Sequence, residues 1–431
     1  MQERVFIGRC SSYDPQAIAA VIARGLTELA AWDRIRGKVA IKPNLVLAHP
    51  VHARHGYTRA EFMAGVLQHL AALRERGQVA RVDIVEKCGR GAPTRGQFRS
   101  AGYLPLARRF GVTLHPMEEE PRVAVALQRG VCHQTVHISP HVAGADTVVF
   151  TPKLKSNVLA HGISAALKLN IGSVDDDERM LFHDHRLDDK IVDLLEAVHP
   201  HLIITDAIEI AAGGNQMTQA GHPLGAVLIA TNPLAHDLVA AHLLGLDPAG
   251  VGHLRRAVER GYTPASIEDI EVVGDYPLAD AQAVVSEYDL GFIRVEDFQC
   301  PMAIQSGEPY CTGGCHGVFL DWLHMIRDRQ PERIADLPDD VTVVIGEVKE
   351  PVMGRRVLLY GDCAARSRVA AGRMACIRGC PPNHKNTIFW MAVLYRVFGP
   401  LFRLDLIWEG YFVNPAARVL GWCRRVLARA A

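Results

Sequence analysis

No C-x2-C pair occurs anywhere in this 431-residue chain, although it holds ten cysteines. The tight knuckle of most structural zinc sites is therefore missing, as is the usual ferredoxin insert C-x2-C-x2-C-x3-C. The C-x3-C-x2-C of radical enzymes is missing too. Charge of one sign is also lacking, since 47 basic side chains meet 47 acidic ones. A general nucleic-acid binder would carry a basic excess, so no nucleic-acid partner is expected. No stretch reaches 18 uninterrupted apolar residues, which argues against an ordinary membrane span. The N-terminal MQERVFIGRC has no charged segment followed by an apolar run and a cleavage site, and a cytoplasmic protein is expected. In that compartment ten cysteines read as thiols or metal ligands rather than disulfides. There is no internal repeat, and 49% apolar against 22% charged residues is ordinary globular usage.

What is present is unevenly spread. Cys10, Cys88 and Cys132 stand singly, whereas Cys300, Cys311, Cys315, Cys363, Cys376 and Cys380 crowd one segment, and Cys423 lies in the tail. That shift suggests three units: an α/β domain over 1–290, a cysteine-rich domain over 291–387 and a helical tail over 388–431. In the first unit, short runs such as Val39-Ala40-Ile41, Thr147-Val148-Val149-Phe150 and Leu202-Ile203-Ile204 alternate with helical patterns such as Pro15 to Leu29 and Arg59 to Arg76. Such alternation predicts an α/β fold with a largely parallel sheet flanked by helices.

Ligands of such sheets bind beyond the carboxyl ends of the strands. The residues expected there are Lys42-Pro43-Asn44, Glu86-Lys87, Lys153-Leu154-Lys155-Ser156-Asn157, Thr205-Asp206 with Glu209, and Thr231-Asn232-Pro233. Lysines beside amides and carboxylates would receive a carboxylate or phosphate. A helix over 161–172, ending at Gly172, would place His161, Ala165 and Lys168 along one face. The stretch Asp175-Asp176-Asp177-Glu178 with His183-Asp184-His185 offers metal donors, but its spacing fits a solvated acidic loop better than a named metal loop.

Thr151-Pro152-Lys153-Leu154-Lys155, Ala166-Leu167-Lys168-Leu169-Asn170-Ile171-Gly172, His183, Asp206-Ala207-Ile208-Glu209, Gly225, Asn232-Pro233 and Asp237, with Lys42-Pro43-Asn44 before them, form an ordered pattern. It resembles the family catalogued as domain of unknown function 362, over roughly residues 1 to 275. Many members carry a ferredoxin-like cysteine segment and are described as iron–sulfur proteins. The resemblance thus implies a pocket but no particular reaction. That family usually has a histidine shortly after the paired lysines, where this chain has Asn157, so that role is altered or passes to His161. Together with the strand ends, the resemblance makes Lys153, Lys155, Lys168, His183 and Asp206 the candidate catalytic residues. Lys42, Asn44, Asn170 and Asn232 are the candidate substrate-binding residues.

Cys311-Thr312-Gly313-Gly314-Cys315, Gly361-Asp362-Cys363 and Cys376-Ile377-Arg378-Gly379-Cys380-Pro381 set thiols among glycines and prolines, as iron–sulfur segments do. A 4Fe–4S cluster, one or two, is the expected cofactor. For one cubane the preferred ligands are Cys311, Cys363, Cys376 and Cys380, with Cys376 and Cys380 on the same cluster. Cys315 is the next candidate, and Cys300 could replace any of them. Zinc on Cys311, Cys315, His316 and a distant pair is the rival. In the tail, from residue 396 onward, six arginines face two acids among Trp408, Tyr411 and Trp422. That pattern suits a helical cap on the cysteine-rich domain or on a partner, and also a helix lying on a membrane surface. The expected protein is therefore a redox enzyme acting on a small anionic molecule, served by a redox partner. The alternatives are a non-redox iron–sulfur lyase or isomerase on a carboxylate, and an electron-transfer or assembly protein.

Overall fold

The structure is a computed structural model and describes residues 2–49, 53–89, 92–157, 162–214, 219–398, 404 and 408–430. Its strands in chain order are β1 (Glu3–Arg9), β2 (Gly37–Pro43), β3 (Val79–Glu86), β4 (Thr113–Pro116), β5 (Val123–Ala126), β6 (Thr135–Ile138), β7 (Thr147–Thr151) and β8 (Lys153–Asn157). They continue with β9 (Gly162–Ser164), β10 (Leu202–Ala212), β11 (Ala220–Ala230), β12 (Ile270–Val273), β13 (Ala303–Ser306), β14 (Val341–Ile345), β15 (Val352–Tyr360) and β16 (Val369–Ile377).

The larger sheet runs β12-β1-β11-β10-β7-β2-β3-β4, with β8 and β9 extending it beside the far half of β10. Every pairing is parallel except those of β11 with its two neighbours and of β9 with β8. Its central strands are buried on both faces, which is why β7 reads as the unbroken run Thr147-Val148-Val149-Phe150-Thr151. Alternate residues feed two separate cores. Val5, Ile7, Ala40 and Ile203 join one, while Phe6, Val39, Ile41 and Ile204 join the other. The helices Pro15–Glu28 and Ala60–Glu75 cover the second core, and Leu187–Ala197 and Pro233–Leu243 cover the first.

Helix starts follow local chemistry. Asp14 accepts from the Ala17 N–H at 3.0 Å with Pro15 opening the helix, and Asn232 does the same for Leu234 and Ala235 ahead of Pro233. The expected helix over 161–172 does not form. Residues 162–164 make β9, and only Ala166–Leu169 and the tighter turn Asn170–Ser173 are helical.

The cysteine-rich segment builds a second sheet, β13-β14-β15-β16, all parallel, packed on the helix Cys315–Arg329 and on the helix His384–Tyr395. It meets the first unit directly. Arg327 donates to the Gly213 carbonyl at 2.7 Å, and His183 Nδ1 lies 2.9 Å from the Gly313 carbonyl oxygen. Among the described residues, no helix is long and apolar enough to cross a membrane.

Candidate functional site

A strip of buried charge runs along the carboxyl edge of the larger sheet in three stations. At the first, Lys153 Nζ lies 3.1 Å from Asp206 Oδ1 and donates to the Tyr13 hydroxyl at 2.8 Å. Tyr13 in turn donates to Asp206 Oδ1 at 2.9 Å. Lys153 and Asp206 are fully buried. Burial lowers the Lys153 amine and the Asp206 charge opposes that, while burial and the same carboxylate raise the Tyr13 phenol. The Arg59 guanidinium lies 4.0 Å from the Tyr13 ring centroid and donates to Glu209, which also meets His55 at 3.3 Å.

The second station is Lys155 and Lys168. Lys155 Nζ donates to the Gly56 carbonyl at 2.9 Å. Burial pushes its amine down to about 7, and the neighbouring Lys168 charge adds to the fall. Burial likewise lowers Lys168 to about 8, with Arg179 adding. In both cases the carboxylate of Asp321, on the helix Cys315–Arg329, opposes the shift. Near neutral pH both amines are therefore brought within reach of gaining and losing a proton.

The third station is the Lys42–Glu86 pair at 2.7 Å, with both side chains buried. Burial pushes the Glu86 carboxyl up to about 7 against the pull of Lys42. Gly172 lies against this pair, and a Cβ there would fall 2.5 Å from Glu86 Oε1. Arg179 donates to the Lys87 and Cys88 carbonyls beside it, while Lys87 meets Asp176 at 2.9 Å. Two candidate amides carry buried atoms that have no hydrogen-bond partner among the described residues: both amide atoms of Asn170, and Asn44 Oδ1. Buried polar atoms of this kind are normally satisfied, so they mark places for a ligand or water.

His183 links this strip to the thiols. Its Nδ1–H donates to the Gly313 carbonyl, and burial with the charges of Lys190 and Lys168 pushes the ring down to about 3. It is a neutral imidazole at physiological pH. Gly313 belongs to the Cys311–Cys315 loop, which closes with the Gly314 N–H on the Cys311 carbonyl at 3.1 Å. Cys315 opens the helix Cys315–Arg329, where the dipole favours a thiolate. Cys363 follows β15 and Cys380 follows β16, and the two strand ends are tied by the Asp362 N–H to the Gly379 carbonyl at 3.1 Å.

Four thiols act on one another. Burial raises Cys311 to about 12, with Asp184, Cys380 and Cys363 adding, and it raises Cys315 further, with Cys380, Cys311 and Cys363 adding. Gly361 makes room for this set, since a Cβ there would sit 2.5 Å from Cys315 Sγ and its φ is +99°.

Two candidate ligands lie apart. Cys376 lies within β16 opposite Leu359 and is exposed, and beyond burial its neighbours are Arg378 and Asp362 rather than a thiol. These contacts do not join it to the other thiols. Cys300 packs against the core of the second sheet, its Sγ 3.6 Å from the Met302 carbonyl.

The expectation for Asn232 is corrected. Because β11 runs antiparallel to β10, with Ile203 opposite Ala230, its end emerges at the opposite edge from the lysines. There Asn232 caps a helix and donates to the Thr263 carbonyl. Asp237 of that helix holds the Ala166 and Leu167 N–H groups at 2.8 Å, so it orients the turn that carries Lys168. The acidic loop is tied up in ion pairs, Asp175 with Arg122, Asp176 with Lys87 and Glu178 with His137. His161 lies outside the described residues.

Sequence reasoning overlooked Tyr13 and Arg179. Tyr13 follows the first apolar run, Val5-Phe6-Ile7, and the strand-end rule applied there would have found it. Arg179, inside the acidic stretch, gave no such signal. Elsewhere, Asp83, His115 and His141 each bring a ligand atom within 4.8 Å of the others. Their own bonds account for that grouping, since His115 bridges Asp83 at 3.1 Å and Glu120 at 2.7 Å.

The molecule is thus a two-sheet α/β protein in which His183 joins the lysine strip of one sheet to the cysteine loop that precedes the helix of the other. Residues 39–242 match the family model described as domain of unknown function (DUF362). None of the curated proteins compared matches the chain. Among solved structures, the lactate racemase apoprotein from Thermoanaerobacterium thermosaccharolyticum aligns at 11% identity and a TM-score of 0.37, over 80% of this chain and 70% of that one. A Thermotoga maritima protein solved as a structural genomics target aligns at 10% identity and a TM-score of 0.35, over 77% and 72%.

Proposed function

We propose that this chain is an iron–sulfur enzyme acting on a small carboxylate or phosphate compound. Cys311, Cys315, Cys363 and Cys380 would hold one cubane, which would supply electron transfer to or from the bound molecule. The observation that carries this reading is the convergence of four thiols from two strand ends and a helix N-terminus beside His183, on a helix whose Asp321 acts on Lys155 and Lys168. The donor set fits such a centre. Four cysteine thiolates are the ligand set that a 4Fe–4S cubane takes. Lys155 and Lys168 would bind the anion, and the unpartnered Asn170 and Asn44 amide atoms would orient it.

A second reading keeps the cluster but makes the reaction a proton transfer, as in an isomerase or lyase on a carboxylate. The two lowered amines favour it, because Lys155 could take a proton that Lys168 returns.

Anaerobic purification with iron and sulfide analysis tests the common part, and about four irons per chain are expected. Cys315→Ser and Cys380→Ser should each lower that content, while Cys376→Ser and Cys300→Ser should leave it unchanged. Stoichiometric zinc without acid-labile sulfide would sink the proposal. Reversible bleaching by dithionite, with reoxidation by a candidate carboxylate, would separate the redox reading from the proton-transfer one.

A further inference from the structure

The tail helix Asn414–Ala430 lies on the larger domain with its sides reversed. Helical spacing sets Val419, Leu420, Cys423, Val426 and Leu427 on one face. A water-soluble domain turns such a stripe to its core. Here the opposite face packs inward instead. Gly421 is buried against Glu119, and Arg424 meets Glu119 at 3.0 Å. A cavity of about 350 Å³ between helix and domain is lined by Arg418 and Arg425 on one side and by Glu118 and Asp175–Asp177 on the other. The stripe faces outward, with Leu420 59% and Leu427 69% exposed. The preceding turn Glu409–Val413 extends it. Tyr411 and Phe412 are exposed, and Trp408 stacks on Phe412 with centroids 4.6 Å apart.

We infer that this face docks on an anionic lipid surface, with the helix lying flat in the interface. Charge and aromatic content point to that occupant. Among residues 408–430 there are four arginines and one acid, Glu409. Arg418 and Arg429 are exposed on the side of the helix away from the stripe, from where their long side chains could reach headgroup phosphates, and the exposed Tyr411 carries an amphipathic ring suited to that boundary. At 17 residues the helix reaches about 25 Å along such a surface. The arginine side then lies between headgroups and the domain's own carboxylates, which explains why it faces inward.

Co-sedimentation of the full-length protein tests this, with vesicles of phosphatidylcholine alone and of phosphatidylcholine mixed with phosphatidylglycerol. The wild type should pellet with the mixed vesicles, and less so as salt is raised. The double substitution Leu420→Glu with Leu427→Glu changes only exposed side chains, and should weaken pelleting by about a hundredfold with no change in thermal midpoint. Arg418→Gln with Arg429→Gln should reduce the preference for anionic vesicles. No pelleting with either vesicle, or equal pelleting with both, would overturn the inference. So would concentration-dependent dimers that the double glutamate variant abolishes in the absence of vesicle binding, because a second copy would then cover the face.

Discussion

Lys153 and Asp206 can be buried only together. Removing the carboxylate with Asp206→Asn leaves an ammonium facing one phenol in a fully buried site, and should cost roughly 3–5 kcal/mol in urea unfolding. Lys155 behaves differently, because burial and not pairing sets its protonation. Its folded amine titrates at about 7 against an ordinary value of 10.5, so the unfolded chain binds more protons between those values. Stability should therefore rise with pH across that window, and Lys155→Met should remove the rise while stabilising the protein at pH 7 by roughly 2 kcal/mol or more. His115 has the opposite sign. Burial resists its charge, but the bonds to Asp83 and Glu120 outweigh that and raise it to about 9 from 6.5. Its contribution is complete below 6.5 and disappears as pH rises through 9, so His115→Gln should flatten the profile there. Thermal unfolding of each variant from pH 6 to 10 separates the two.

Elements carry the next level. Asn232 reads as a strand-end ligand in a purely parallel sheet, yet it is a helix cap because β11 turns back. Asn232→Ala should cost about 1 kcal/mol as a lost cap and leave anion binding untouched, which a calorimetric titration with the relevant carboxylate would check. Gly361 stands at the end of β15, where a methyl group would collide with Cys315 Sγ. Gly361→Ala should lower iron content under the proposed function. Gly77→Ala also has a positive φ, at +75°, but nothing within 4 Å, so it should reduce stability alone. Equal iron content in both variants would mean that the crowding at Cys315 is harmless.

At the scale of the molecule, the two units are joined through the helix Cys315–Arg329 and the loop before it. Asp321 belongs to the cysteine-bearing helix, yet its charge acts on the lysines of the other sheet. Asp321→Asn should lower both amines further, shifting the pH profile of anion binding to more acidic values. If the thiols hold a cluster, removing its iron with a chelator should lower the thermal midpoint and change the lysine titrations as well, since the thiol loop carries the carbonyl that His183 bonds. Much of this arrangement was legible in the sequence. Short apolar runs and Asp-Pro or Asn-Pro starts determined the strands and helices, because those signals are local. The residues after parallel strands determined most of the lysine strip, because a parallel sheet sends every strand end to one side. Only the tertiary structure decided the rest. The reversal of β11 depends on how its whole hairpin packs, and the charge of Asp321 reaches lysines more than 150 residues away only because its helix packs against the first unit.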